Sequence, residues 1–187
     1  TSHETVLVES QGSIRVCSTG GNRKHEWFFY KDFINAGGEV KFTNRTAADE
    51  NITSYSSDEI QHIITAYFSS GSENQELRAN GLSYFSRIVV DKGVDMTYTL
   101  SLSASDPANF KLLGPCNVGM SQAEFSPADP ISGNNGNPNS FALINGTAEI
   151  KENIFIPLHI AQQPSAGCSG NYNINNSAQL WVNGGEV

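Results

Sequence analysis

Histidine, serine and carboxylate side chains could do chemistry in this chain, so their spacing is considered first. The four histidines, His3, His25, His62 and His159, are scattered and show no HxH or HExxH spacing. Zinc sites are usually built from ligands that lie close together in sequence, so no metal site and no cofactor is predicted. The nucleophile motif GxSxG and the nucleotide motifs GxGxxG and Walker A are absent. No catalytic residue is therefore assigned, and we expect a protein that is not an enzyme.

Carboxylate and amide oxygens suggest two weaker candidates. Glu149 and Glu152 could form a glycosidase pair, but we interpret them as solvated charges at the rim of a sheet. A calcium loop would use the oxygen-bearing side chains of Asp129, Asn134, Asn135, Asn137 and Asn139. Because this set holds one carboxylate and lacks EF-hand spacing, a polar surface loop over residues 126–140 is favoured.

Aromatic residues are concentrated in Glu26–Phe33 (EWFFYKDF), which holds five rings in eight residues. Exposed rings can form a platform for sugars. In a strand only every second side chain points to the solvent-exposed face, however, so five rings this close together cannot all be exposed and most of them should belong to the core. A secreted carbohydrate-binding module or lectin-like adhesin domain is kept as the alternative function.

Three cysteines, Cys17, Cys116 and Cys168, lie far apart and form no CxxC pair. In an oxidising compartment the favoured disulfide is Cys116–Cys168, because both residues lie in Gly- or Pro-rich corners that flank the same C-terminal strands. Pairing of Cys17 with either of them is the alternative. A reducing compartment with three buried thiols also stays open.

Composition indicates a packed, secreted single domain. Hydrophobic residues make up 38% and charged residues 16%, and the ten Phe, six Tyr and two Trp argue against disorder. A net charge of −8 argues against nucleic-acid and anionic-membrane partners. No run approaches the roughly 18 apolar residues of a membrane helix, so no membrane insertion is expected. The chain opens at Thr1, from which we expect a removed leader and an extracellular or cell-surface location.

Alternation of apolar and polar residues predicts many short strands. In Asp95–Ser103, apolar side chains at even positions alternate with Thr and Ser, and Asn153–Ala161 alternates in the same way. Pro157 has no amide proton, which predicts an edge strand or a bulge there. Further strands are predicted at Thr5–Ser10, Ser13–Cys17, Glu26–Ile34, Gly38–Thr43, Phe85–Asp91, Phe110–Leu113, Ser140–Asn145 and Ser177–Val182.

One short helix is predicted near residues 57–68. Ser56 and Glu59 have the spacing of a capping box, and apolar residues follow at helical intervals, although a β-branched run leaves a strand as the alternative. About ten short strands without a visible repeat predict an all-β fold, an antiparallel β-sandwich of Ig-like or jelly-roll-like type. The sandwich is expected over residues 23–187, after an extended N-terminal segment over residues 1–22.

Two segments of the C-terminal half carry a family resemblance. Arg87–Ser105 contains a short strand, a turn and an alternating strand. In Ile144–Asn183 an apolar strand (Ile154–Ile160) leads into the corner Gln163–Gly167, then Gly170–Tyr172 and a last strand, Ala178–Val182. This order is similar to that of bacterial fimbrial and spore-coat-like β-sandwich fibre subunits.

The resemblance implies a structural subunit of an extracellular filament, pilus or biofilm-matrix fibre. Such subunits form a homopolymer by β-strand complementation, in which one copy completes the sheet of the next. Val6, Val8, Ile14 and Val16 stand at even positions of the N-terminal segment and make it the candidate donor strand. Pairing of this segment within its own subunit is the alternative. Contact with a surface glycan or matrix is a further expected interaction.

Overall fold

The described part of the chain consists of β-strands and their connections. The computed structural model describes residues 1–16, 23–46, 62–113, 140–156 and 174–187, and within these ranges no helix occurs. The strands in chain order are β1 (Val6–Glu9), β2 (Ser13–Arg15), β3 (Arg23–Phe29), β4 (Phe33–Ala36), β5 (Glu39–Lys41), β6 (His62–Phe68), β7 (Gln75–Ala79), β8 (Ser83–Phe85), β9 (Arg87–Asp91), β10 (Thr99–Ala104), β11 (Phe110–Leu112), β12 (Phe141–Ile150) and β13 (Ala178–Val182).

These strands pair in parallel and recur on three faces. The first sheet has the order β1-β4-β7-β10-β12-β13, the second β2-β5-β8-β11 and the third β3-β6-β9-β12. Through the first eleven strands, each strand stacks on the one three positions earlier, so the chain winds as a parallel β-helix, a coil with three sides. β12 serves two faces, because its register shifts between Leu143 and Asn145 and its two halves pair with different strands.

The predicted antiparallel β-sandwich is wrong. Every ladder between named strands is parallel, including the pairing of β1 and β2, from the predicted N-terminal segment, with β4 and β5. Period-two alternation reports that one face of a strand is buried, but it carries no information on the direction of the neighbouring strand. The sandwich followed from counting short strands, and that count fits a coil equally well.

The short helix predicted near residues 57–68 is also wrong over the described residues. His62–Phe68 forms strand β6, between β3 and β9 in the third sheet. The β-branched side chains of Ile63, Ile64 and Thr65 favour an extended backbone, and pairing on both sides satisfies the backbone hydrogen bonds of this strand. Residues 57–61 lie outside the described residues.

Most of the other predicted strands are confirmed, with shifted ends. Glu26–Ile34, predicted as one strand, is divided between β3 and β4 by a corner at Tyr30–Asp32. Strand β7 was not predicted, because its sequence QELRA holds too few apolar residues to show clear alternation. The strand predicted over Asn153–Ala161 is not formed in its described part, where Asn153 belongs to a turn and Phe155 makes an isolated bridge to Glu186; the part from Pro157 onward lies outside the described residues.

The interior of the coil is built from columns of side chains that align from strand to strand. On the first sheet the aligned residues Phe33, Leu77, Leu102 and Ile150 are all fully buried. This column begins at Val6 and ends at Val182. Burial of each apolar side chain in such a column contributes about 1.5–3 kcal/mol to folding.

Phenylalanine rings pack together in the interior. Phe29 and Phe33 have no exposed surface, which confirms that rings of the Glu26–Phe33 segment belong to the core. Their ring centroids are 5.1 Å apart in an edge-to-face arrangement. Phe29 also stacks on Phe68 of the next coil at 5.2 Å. Phe29 therefore joins two successive coils.

Glycines allow the coils to approach closely at the corner between the first and second sheets. A Cβ atom on Gly81 would lie 2.4 Å from the carbonyl oxygen of Gly38, and one on Gly38 would lie 2.6 Å from that of Glu9. The buried Asn35 closes the same corner, since its Nδ2 donates to the carbonyl oxygens of Gly38 and Leu82 and its Oδ1 accepts from the Gly38 amide.

We expect Gly81→Ala to lower the free energy of unfolding by about 2–3 kcal/mol, because the new methyl group meets backbone atoms that cannot rotate away. The matched control is Gly71→Ala, whose Cβ would be 3.5 Å from its nearest neighbour. Denaturant unfolding followed by circular dichroism measures both. Equal stabilities of the two variants would contradict the close approach of the coils.

Candidate functional site

The two ends of the first sheet are the candidate functional site. β1 forms one edge and β13 the other, and in the described residues each pairs with a single strand, β4 and β12 respectively. Both edges therefore present backbone N–H and C=O groups that a further strand could use. Because all six strands of the sheet run in the same direction, a strand added at either edge could continue the sheet in parallel.

The predicted donor-strand residues lie at the β1 end. Val6 and Val8 belong to β1, which pairs with β4 of its own chain, and Val8 is buried. Ile14 lies in β2 opposite Val40 of β5, and the amide of Val16 donates to the carbonyl oxygen of Lys41. One edge of the segment is thus used within the chain. Whether its other edge pairs with a second copy remains a prediction.

Exposed apolar side chains are concentrated at the opposite end. Trp181 and Val182 of β13 are 52% and 48% exposed. Phe155, Ile174 and Val187 have large exposed fractions as well and belong to the same terminal turn of the coil, where Phe155 pairs with Glu186. At the other end, Leu7 of β1 is 56% exposed. Terminal repeats of coil-like proteins normally carry polar outer faces, so this end is unusually apolar.

Sequence reasoning missed Trp181 and Val182. The available signal was the run Leu180–Val182, three apolar residues in succession on a strand expected to have one wet face. In such a run, side chains on both faces of the strand are apolar, so one of them must be exposed or covered by another element.

Side-chain hydrogen bonds hold the terminal strand in place. The Glu149 carboxylate accepts from Ser101 Oγ at 2.6 Å and from Asn183 Nδ2 at 2.8 Å, and Lys151 Nζ lies at 3.3 Å. Burial raises the pKa of Glu149, but these three donors outweigh it and hold the pKa below its ordinary value. Glu149 is buried, so its interpretation as a solvated rim charge is wrong; Glu152 is exposed.

A second set of hydrogen bonds fixes the start of the last turn of the coil. Asn145 Nδ2 donates to Asp91 Oδ1 at 2.7 Å, and Ser177 Oγ donates to the Asn145 side-chain oxygen. The backbone amide of Gly146 also donates to the carbonyl oxygen of Ser177. Together with the Glu149 bonds, these contacts present β13 as an ordered edge rather than a frayed end.

Several predicted features lie outside the described residues. These are Cys17, Cys116 and Cys168 with their predicted disulfide, residues 126–139 of the polar loop with all five calcium candidates, and His159. In the five described ranges no three His, Cys, Asp or Glu side chains come together as metal ligands would. His3 instead stacks on Tyr30 with ring centroids 4.7 Å apart.

Comparison with known protein families, with characterised proteins and with solved structures finds no match to this chain. Among the described residues, no helix has the length and apolar character needed to cross a membrane.

Proposed function

We propose that the protein is a structural subunit of an extracellular filament that grows by addition of β-strands between copies. The observation that carries the proposal is the column Val6–Phe33–Leu77–Leu102–Ile150–Val182. It is buried through the coil and ends on a valine that is 48% exposed, on a strand whose outer edge pairs with no other strand among the described residues. A second copy placed there would bury this side chain.

The first strand of another copy is the occupant with the matching geometry. If the next copy continues the columns, its Val6 lies about 4.8 Å from Val182 along the sheet, the normal spacing of paired strands. In that register its Leu7 is a diagonal neighbour of Trp181 on the outer face, within the reach of an aromatic side chain. The two exposed apolar residues would then cover each other.

Such a contact is heterologous, because the β13 end of one copy meets the β1 end of another. Heterologous contacts whose rotation does not close produce open filaments. The coil direction is the same in every copy, so each addition presents a new β13 edge. This form of strand complementation leaves β1 in its own chain and uses its second edge, in contrast to exchange of a donor strand between sandwiches.

We expect Val182→Lys to raise the protein concentration needed for filament formation by at least about tenfold, because it puts a charge at an apolar contact. The matched control is Val94→Lys, the same change at a valine that is 86% exposed and lies in the connection between β9 and β10, outside both edge strands. Sedimentation velocity and negative-stain electron microscopy over a concentration series measure assembly.

Wild-type protein that stays monomeric throughout the series would contradict the proposal. So would a Val182→Lys variant that forms filaments at the same protein concentration as Val94→Lys. Urea unfolding of the two variants is the folding control. Since Val182 is already half exposed in the single chain, both variants should unfold at similar urea concentrations.

A further inference from the structure

A cavity of about 190 Å³ lies beside β2 and β5, on the outer side of the second sheet. Its walls include three basic side chains, Arg15, Lys41 and Arg45, and the polar Thr43, Asn44 and Thr46. A water molecule takes about 30 Å³ of liquid, so the cavity has room for a sulfate or carboxylate group together with part of the unit that carries it.

Pairing of adjacent strands places two of the cations side by side. Arg15 of β2 is the register partner of Lys41 of β5, so their backbones are about 4.8 Å apart. Both side chains form ion pairs with Glu39, Lys41 at 2.6 Å, and they keep 58% and 30% of their side-chain surface exposed. Among the residues that the structure describes, one carboxylate therefore serves two accessible cations, which leaves a local positive charge.

The next strands of the second sheet limit the basic surface to the cavity. Tyr84 of β8 is the register partner of Lys41, and Lys111 of β11 is the partner of Tyr84. The Lys41 ammonium lies 5.9 Å from the centre of the Tyr84 ring. Arg15, Lys41 and Lys111 share one register across four strands, but Tyr84 between the two lysines is only 7% exposed, and neither Tyr84 nor Lys111 lines the cavity. The accessible cations Arg15 and Lys41 are therefore concentrated at the cavity itself, where they attract anions to one place on a protein whose net charge is −8.

We propose that this cavity binds the sulfate or carboxylate group of an acidic polysaccharide. The volume of the cavity leaves room beside the anionic group for part of the sugar unit that carries it, which favours a carried anion over a free one. Arg15 supplies planar paired donors and Lys41 a point charge, and each contact is strengthened by the charge of the group it binds. This inference does not depend on filament formation.

The test is isothermal titration calorimetry with a heparin-derived oligosaccharide and, in parallel, with sodium sulfate. We expect the wild type to bind the oligosaccharide and the double variant Arg15→Gln/Lys41→Gln to bind it at least about tenfold more weakly. Glu39→Gln should bind several times more tightly, because it removes the one carboxylate that pairs with both cations. This opposite sign separates binding from a general loss of structure.

Matched controls lie on the first sheet, where Arg78 pairs with Glu76. Arg78→Gln and Glu76→Gln alter the same kinds of charge away from the cavity and should leave the affinity unchanged. Absence of oligosaccharide binding by the wild type overturns the proposal, and so does binding that is equal in the double variant. Binding of sulfate alone also overturns it, because the site would then hold a free anion.

Discussion

Phe85→Ala is expected to lower the free energy of unfolding by about 3–5 kcal/mol, the largest effect anticipated for a single substitution in this protein. Phe85 has no exposed surface, and its ring lies against three others. The centroid distances are 5.3 Å to Phe42, 5.7 Å to Phe110 and 6.0 Å to Phe33. The truncation removes the buried area, leaves a cavity and breaks ring contacts that join successive coils.

Urea unfolding followed by circular dichroism measures this effect, with Phe155→Ala as the matched control. Phe155 is 43% exposed, so the same truncation there should cost less than about 1 kcal/mol. The experiment is performed at protein concentrations below those at which filaments form. A loss of less than about 1.5 kcal/mol for Phe85→Ala would contradict the ring-packed interior.

Lys92 is expected to make the protein more stable as the pH rises from 8 to 10.5. This lysine is fully buried, and its Nζ donates to Gln75 Oε1 at 2.7 Å. Gln75 in turn donates to the carbonyl oxygens of Phe29 and Lys31, so the amine sits in a hydrogen-bonded corner without a carboxylate partner in that network.

Burial lowers the pKa of Lys92 to about 8 from 10.5, although the charges of Glu73 and Asp32 act in the opposite direction. Below pH 8 the folded protein carries the full cost of the buried charge. Between the two pKa values the unfolded chain binds the proton and the folded chain does not, so stability rises with pH. The gain is about 3 kcal/mol and is complete above pH 10.5.

Comparison with Lys92→Met isolates this contribution, because other lysines and tyrosines titrate in the same range. The free energy of unfolding of the wild type minus that of Lys92→Met should rise by about 3 kcal/mol between pH 8 and 10.5. Lys31→Met is the control and should keep the wild-type slope, since the hydrogen bond to Glu73 raises the pKa of Lys31 and moves its titration out of the window. A flat difference for Lys92→Met would show that the amine is not buried as described.

Much of the local structure follows from the sequence. The alternation in Thr5–Ser10 and Ser13–Cys17 predicts β1 and β2, and the alternation up to Ser103 predicts β10. Successive side chains of a strand point to opposite faces, so a strand with one buried face has an apolar residue at every second position. The crowded rings of Glu26–Phe33 predict core residues, since so many rings cannot stay in water. Strand content and the position of the aromatic core were therefore accessible without coordinates.

The strand pairing was decided by the tertiary structure alone. Stacked residues of the column from Val6 to Val182 are 27, 44, 25, 48 and 32 residues apart along the chain, so no repeat period is visible. Along the sequence, segments of different length such as 47–61 and 114–139 separate strands that stack on each other, so the number of residues between stacked positions varies. Period-two patterns describe each strand alone, whereas the partner and its direction depend on contacts distant in sequence.

Burial of individual polar groups was equally undetermined by the sequence. Glu149 has the appearance of a surface charge and Lys92 that of a turn residue, yet both are buried because neighbouring coils bring hydrogen-bond partners to them. The candidate site was likewise decided by the tertiary structure and not by the sequence pattern. Val6 and Val182 resemble other strand valines, and only their places at the two ends of one parallel sheet make them edge residues, because an edge is a property of the stack and not of a strand.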